Sequence, residues 1–135
     1  KIDVATLVYP ENRTPDLAEI EATLAADDSI TNVAVIHCET TTGIINPIKE
    51  IGAIVKQFGK SYFVDAMSSF GAVPFSLSEC EIDFMVSSAN KCIEGVPGFS
   101  FVIAETSELK AARGNSHSLS LDVEAQWRVM IYVIR

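Results

Sequence analysis

The sequence has few basic residues, few cysteines and no long apolar run, and each shortage excludes a class of protein. Ten lysines and arginines stand against eighteen acidic residues, a net charge of −8 over 135 residues, which argues against nucleic acid or a membrane surface as a partner. No apolar stretch approaches the roughly 20 residues that cross a bilayer. Three cysteines without Cys-x-x-Cys spacing predict neither a disulfide framework nor a metal site. We therefore expect an acidic, cytoplasmic, globular chain with reduced thiols.

The common signatures of nucleotide binding and of serine hydrolases are also missing. No Gly-x-Gly-x-x-Gly occurs, and no serine has the flanking glycines of a nucleophile elbow. Residues 59–61 (Gly-Lys-Ser) end like a phosphate-binding P-loop, but Ile54 stands where the first glycine belongs. Residues 37–39 (His-Cys-Glu) match half of a zinc-deaminase motif whose Pro-Cys-x-x-Cys partner is absent. The sequence predicts none of these chemistries.

What the sequence does have is a regular alternation of strand and helix patterns. Short apolar runs predict strands at residues 4–9, 32–37, 61–64 and 82–87, and an antiparallel partner at 99–104. The run at 32–37 is typical of a strand buried on both faces. Apolar stripes predict helices at 16–26, 47–58, 106–113 and 123–131. We predict an α/β fold: a three-layer, mostly parallel, doubly wound sheet without internal repeats.

Helix boundaries are also visible in the sequence. Thr14 is the predicted N-cap of the first helix, with Pro15 at its first position. Gly59 is the predicted stop of the second helix, because glycine readily adopts the left-handed conformation that ends helices.

Polar clusters follow three of the predicted strands, at residues 37–43, 65–71 and 87–92. Ligands of open α/β sheets bind beyond the carboxyl ends of the strands, so these clusters should converge. The positions of Asp65 and Lys91 are unusual for charged residues. Asp65 directly follows an apolar strand, and Lys91 interrupts an apolar segment, so each charge would be costly to bury without a partner. They form a buried ion pair, or they extend into solvent at the sheet edge, or they make the two contacts that pyridoxal 5'-phosphate requires, a Schiff-base lysine and a partner of the pyridine nitrogen.

The segments 37–43, 64–69 and 88–99 resemble the class V, fold-type I aminotransferases. The Asp-Ala-x-Ser-Ser element is shared across the class. The Ser-Ala-Asn-Lys-Cys segment and the Gly-Val-Pro-Gly-Phe turn point to its branch that acts on phosphonates. The resemblance spans roughly residues 4–128.

This resemblance implies a role for five residues. Lys91 would be the catalytic, Schiff-base lysine, Asp65 the partner of the pyridine nitrogen, and Thr40 a hydrogen-bond partner of the ring hydroxyl region. Met67 would pack under the ring, and Asn90 would lie near the cofactor phosphate. A homodimer, a small-molecule amino donor and a 2-oxo acid acceptor are implied with them.

The same resemblance implies that residues 1–135 are part of the large, cofactor-binding domain, without its N-terminal phosphate-loop segment and without the C-terminal small domain. Two alternatives stay open. One is another class V transaminase of the alanine–glyoxylate type, and the other is a catalytically inert chain that keeps only the fold.

Overall fold

The structure is a computed structural model that describes residues 2–133. Its elements in chain order are α1 (Leu17–Ala26), β1 (Asn32–Ile36), α2 (Ile48–Gln57), β2 (Ser61–Asp65), β3 (Phe84–Ser88), β4 (Ser100–Ala104), α3 (Thr106–Ala111), a 3-10 turn (Leu119–Leu121) and α4 (Val123–Val133). Every element predicted from residue 16 onward is present, with its ends displaced by two residues or fewer. Within the described residues, no helix is both long enough and apolar enough to span a membrane.

The four strands form one sheet in the order β1-β2-β3-β4. β1, β2 and β3 run parallel, and β4 returns antiparallel to β3. The register places Ile36, Asp65 and Val86 side by side, so the chain leaves these three strands at one common edge. This arrangement confirms the prediction of a mostly parallel α/β sheet with an antiparallel last strand.

The main core lies between one face of the sheet and the helices α1 and α2. Alternating residues of β2 and β3 supply its centre, where Tyr62, Val64 and Met85 are fully buried. They meet the apolar stripe of α2, which includes Ile51 and Val55. The phenol group of Tyr62 donates to the Ile48 carbonyl oxygen at 3.0 Å, so its polar tip is satisfied inside the core.

The opposite face of the sheet is covered less completely. α3 reaches it at the amino end of β2, where the Ser61 hydroxyl donates to Glu108 Oε2 at 3.2 Å. Further along this face, Phe63 and Phe84 stack with ring centroids 6.5 Å apart and are half-buried.

The prediction that the 32–37 run is buried on both faces is wrong. β1 is the edge strand of the sheet, and its residues alternate between half-buried and exposed. Val33 and Val35 face the core beside α1 and α2, whereas Ala34 is exposed and Ile36 keeps 44% of its surface accessible. The apolar run therefore predicted the strand correctly, but it did not show how many faces of the strand are buried.

The predicted strand at residues 4–9 is also absent. These residues pair with no strand in the described part of the chain, and Val4 and Val8 are largely exposed. Leu7 alone among them packs against the core. A strand requires a neighbour that accepts its ladder hydrogen bonds, and apolar composition cannot supply one.

Two element starts differ from the prediction for identifiable reasons. α1 is capped by Asp16 and not by Thr14, because the Asp16 carboxylate accepts from the amides of Ala18 at 2.9 Å and Glu19 at 3.4 Å. β3 begins at Phe84 and not at residue 82, because the Asp83 side chain takes the hydrogen bond from the Tyr62 amide that a strand carbonyl would otherwise accept.

The predicted stop at Gly59 is confirmed. Gly59 has a φ of +65°, the left-handed conformation in which other residues are strained, and its amide donates to the Lys56 carbonyl at 3.0 Å.

Candidate active site

Three side chains from three loops meet at the carboxyl edge of the parallel strands. The Lys91 amine, beyond β3, donates to the Ser68 hydroxyl at 2.9 Å. The Ser68 hydroxyl, beyond β2, lies 2.6 Å from the Thr40 hydroxyl, beyond β1. The expected convergence of the polar clusters is therefore confirmed for Thr40 and Lys91, and Ser68 is the residue that joins them.

Asp65 is the last residue of β2 and is half-buried at the same edge. Its Oδ1 atom accepts the backbone N–H of Met67 at 2.9 Å, which turns the chain sharply after the strand. Oδ2 has no hydrogen-bond partner within residues 2–133, so one acceptor atom of this carboxylate remains for a ligand. The structure does not support the ion-pair interpretation, because the amine of Lys91 is exposed and bonds to Ser68.

The other two predicted residues flank this group. Met67 is half-buried two positions after Asp65, and Asn90 is exposed next to Lys91. In the described part of the chain, the Asn90 side chain does not enter the hydrogen bonds that join Thr40, Ser68 and Lys91.

The loop that carries Lys91 is a compact turn. The Gly95 amide donates to the Ala89 carbonyl at 2.7 Å, and the Glu94 amide donates to the Lys91 carbonyl at 2.8 Å. A Cβ atom at Gly95 would lie 3.0 Å from the Ala89 oxygen, so a side chain at this position would loosen the turn. The thiol of Cys92 adds a contact of 3.4 Å to the Ser68 carbonyl, which ties this loop to the one beyond β2.

A buried histidine contacts the turn that carries Ser68, a role that the sequence alone did not predict. His37 is only 3% exposed, and its Nδ1 atom lies 2.8 Å from the Ser69 hydroxyl. Its ring meets the edge of Phe75 with centroids 4.8 Å apart. Burial lowers the pKa of His37, which favours the neutral imidazole. The position of His37 at the end of an apolar strand was the sequence feature that could have indicated a buried histidine.

The groups at this edge fit a cofactor with an aldehyde, a ring nitrogen and a ring hydroxyl. They offer a primary amine on Lys91, a carboxylate oxygen on Asp65 and a hydroxyl on Thr40. Ser88, at the end of β3, adds a buried hydroxyl without a partner in the described residues. Within the same residues, no group of three histidine, cysteine or carboxylate side chains could hold a metal ion.

A lysine and an aspartate at the carboxyl edge of a mostly parallel sheet are what fold-type I, pyridoxal-phosphate-dependent enzymes present to their cofactor. Residues 1–120 match the family model described as Aminotransferase class-V, and the chain belongs to this family. Pyridoxal phosphate is the cofactor of the family.

Curated relatives at high identity include transaminases that share one name. The chain is 57% identical over 129 residues to 2-aminoethylphosphonate–pyruvate transaminase of Lysinibacillus sphaericus, covering 94% of this chain and 35% of that protein. It is 56% identical over 116 residues to the protein of the same name in Salmonella typhimurium, covering 86% and 32%. The chain thus spans about a third of the length of these relatives.

Solved structures show the same fold. Pyridoxamine–pyruvate aminotransferase from Mesorhizobium loti superposes with a TM-score of 0.73 at 34% identity, over 79% of this chain and 27% of that one. Alanine–glyoxylate aminotransferase from Nostoc sp. has a TM-score of 0.77 over 90% of this chain and 32% of its own, but at 24% identity it supports the fold alone.

Proposed function

We propose that this chain supplies cofactor-binding residues to a pyridoxal-phosphate-dependent transaminase. Its reaction would transfer the amino group of 2-aminoethylphosphonate to pyruvate, giving phosphonoacetaldehyde and alanine, a step of phosphonate degradation. The observation that carries the proposal is the exposed Lys91 amine at the edge where Asp65 ends its strand, in a chain 56–57% identical to transaminases of that name. Residues 1–135 would form part of the large, cofactor-binding domain.

Asp65 is suited to hold the proton of a pyridine nitrogen. The Met67 amide occupies its Oδ1 atom and keeps the carboxylate in one orientation, which leaves Oδ2 to accept from the ring. An ionised acceptor makes a stronger hydrogen bond than a neutral one, so this contact also favours the protonated ring. The bound cofactor in that state supplies an electron sink for a substrate carbanion.

Lys91 is suited to move the proton. Its amine is exposed at the end of a short turn, and it would take a proton from the substrate carbon and return it to another carbon, first as a base and then as an acid. Thr40 would hydrogen-bond the ring hydroxyl, Met67 would pack against the ring, and Asn90 would lie near the phosphate.

The first test is borohydride reduction of the purified chain with added pyridoxal phosphate, followed by peptide mass mapping. We expect a pyridoxyl adduct confined to Lys91. Lys91→Arg should abolish it while preserving the charge, because a guanidinium does not react with the aldehyde. Lys49→Arg is the matched control, since Lys49 is an exposed lysine on α2 that pairs with Glu79 and not with the residues of the site, and it should leave the adduct unchanged.

An adduct spread over several surface lysines, or none at all, would contradict the proposal for this chain. Amino-group transfer to pyruvate is assayed in the same variants. Lys91→Arg and Asp65→Asn should each reduce it by about a hundredfold or more, the usual contribution of a positioned acid–base group. Faster transfer from alanine to glyoxylate than from 2-aminoethylphosphonate to pyruvate would assign the enzyme to the alanine–glyoxylate type.

We also propose a cytoplasmic homodimer whose partners are an amino donor and a 2-oxo acid. The thiols of Cys38, Cys80 and Cys92 are all free, which suits a reducing compartment. The net charge of −8 disfavours nucleic acid and anionic membranes. Exposed apolar residues beside the site, among them Val96 and Phe99, offer surface for a second subunit. Analytical ultracentrifugation tests the dimer, and a monomer at micromolar concentration would contradict it.

A further inference from the structure

Ser68 occupies the central position of the group at the sheet edge. Its hydroxyl lies 2.9 Å from the Lys91 amine and 2.6 Å from the Thr40 hydroxyl, whereas within residues 2–133 no hydrogen bond joins Thr40 directly to Lys91. It is half-buried, whereas its two partners, Thr40 and Lys91, are exposed. A ligand that approaches the lysine therefore meets an amine that Ser68 already holds.

The backbone around Ser68 is held from two directions. The Ser69 amide donates to the Ala66 carbonyl at 3.1 Å, and the Ser69 hydroxyl contacts His37, so the turn after β2 is anchored in the interior. The Cys92 thiol reaches the Ser68 carbonyl at 3.4 Å from the lysine loop. The Ser68 hydroxyl is thus presented from a fixed turn and not from a free loop, whereas the long Lys91 side chain has many rotamers to lose.

The chemistry of the three groups assigns their roles. A lysine ammonium has three donors and no acceptor, so Ser68 accepts from Lys91. The single hydroxyl proton of Ser68 can then be given to Thr40, which leaves the Thr40 proton for a ligand oxygen. A hydrogen bond to a charged donor is stronger than a neutral one. Within the described residues, the Ser68 hydroxyl is thus the hydrogen-bond partner that restrains the Lys91 amine.

We propose that Ser68 is a positioning residue of this site, which holds the Lys91 amine toward the carboxyl edge of the sheet and couples it to Thr40. Ser68 does not react with the cofactor or the substrate. It acts through Lys91, by limiting the orientations of the side chain, so that the nitrogen faces the sheet edge when the ammonium has given one proton to water and its lone pair can attack an aldehyde. This inference rests on the proposed function for its consequence, but the hydrogen bond itself can be measured without any cofactor.

The first measurement follows the exchange of lysine ammonium protons with water, by NMR on the chain labelled with 15N-lysine and without cofactor. In the parent chain, the Lys91 protons should exchange about tenfold more slowly than those of exposed Lys49, the factor expected for one hydrogen bond. Ser68→Ala should remove this difference. Ser68→Thr keeps the hydroxyl and should restore it. Lys91→Arg assigns the signal by deleting it.

The second measurement repeats the borohydride mapping in the Ser68 variants. Ser68→Ala should lower the yield of adduct on Lys91 about tenfold at a fixed short time, and Ser68→Thr should recover it. Equal melting temperatures of the two variants exclude a loss of folding as the cause. A merely structural role of Ser68 would not produce rescue by the hydroxyl alone.

The outcomes separate this inference from the proposed function. Slow exchange that depends on Ser68, with no Lys91 adduct in the parent chain, supports the positioning contact and overturns the cofactor assignment. An adduct confined to Lys91 that is unchanged in Ser68→Ala overturns the role of Ser68 and leaves the proposed function standing. Exchange at Lys91 as fast as at Lys49 in the parent chain overturns the positioning contact directly.

Discussion

Gly52 makes the sharpest prediction about the packing of this fold, because two effects of opposite sign act on it. It lies inside α2, where alanine is favoured over glycine by about 1 kcal/mol. It is also buried at the point where the helix crosses the Cys80 turn. A Cβ atom there would lie 2.1 Å from the Cys80 carbonyl oxygen and 3.2 Å from a ring carbon of Tyr62.

The size of the clash decides whether Gly52→Ala stabilises or destabilises the chain. Carbon and oxygen atoms approach each other to about 3.3 Å at closest, so a methyl group at Gly52 would require a displacement of roughly 1 Å. The obstacle is a backbone carbonyl and a fully buried tyrosine, neither of which can rotate away. Overpacking of this kind costs about 1–3 kcal/mol, and an obstacle that cannot move away places Gly52→Ala at the upper end, about 3 kcal/mol. After the gain in helix propensity, we expect Gly52→Ala to destabilise the chain by about 2 kcal/mol.

The assay is urea and thermal unfolding followed by circular dichroism. A loss of about 2 kcal/mol corresponds to a fall of roughly 8 °C in Tm for a chain of this size. Ala53→Gly is the matched control, since Ala53 is exposed on the same helix and should lose only the propensity term of about 1 kcal/mol. Gly52→Ala as stable as the parent chain, or more stable, would refute the reasoning.

Two further predictions concern buried polar groups. Asp83 accepts from the Tyr62 amide at 2.7 Å and pairs with Lys56, so Asp83→Ala should lower the free energy of unfolding in urea by about 3 kcal/mol. Asp83→Asn should cost less, because its amide oxygen can still accept from the Tyr62 amide. Equal losses in the two variants would contradict this prediction. Burial lowers the pKa of His37 below its unfolded value of about 6.5, so the unfolded chain binds the proton first and stability should fall as the pH drops below about 6.5. His37→Gln should flatten this dependence, whereas His117→Gln, at an exposed site, should not.

The sequence predicted the positions of helices and strands better than it predicted which of their faces are buried and which strands they pair with. Periodicity is a local property, and it located helices such as α2 and strands such as β2 to within one residue. It could not separate β1, an edge strand with one exposed face, from a strand buried on both sides. It also predicted a strand at residues 4–9, where the described chain offers no pairing partner.

Some residues of the candidate site were likewise predictable from the sequence, and others were not. Asp65 and Lys91 were predictable because a charge at the end of an apolar strand is conspicuous and because both lie in motifs that resemble a known family. Ser68 lies within those motifs, but the sequence indicates no role for it, since its contact to Thr40 spans 28 positions along the chain. His37 and Ser69 are 32 positions apart, and their contact was equally invisible.

The sequence by itself determined the order of strands and helices, the family and the two residues best suited to a cofactor. These depend on local patterning and on short motifs, which a single chain displays directly. Only the tertiary structure decided which face of β1 is exposed, which donor orients the Asp65 carboxylate, and that Ser68 joins Thr40 to Lys91. The physical reason is that parallel strands bring the loops after them to one edge, and the distances there depend on packing between distant segments.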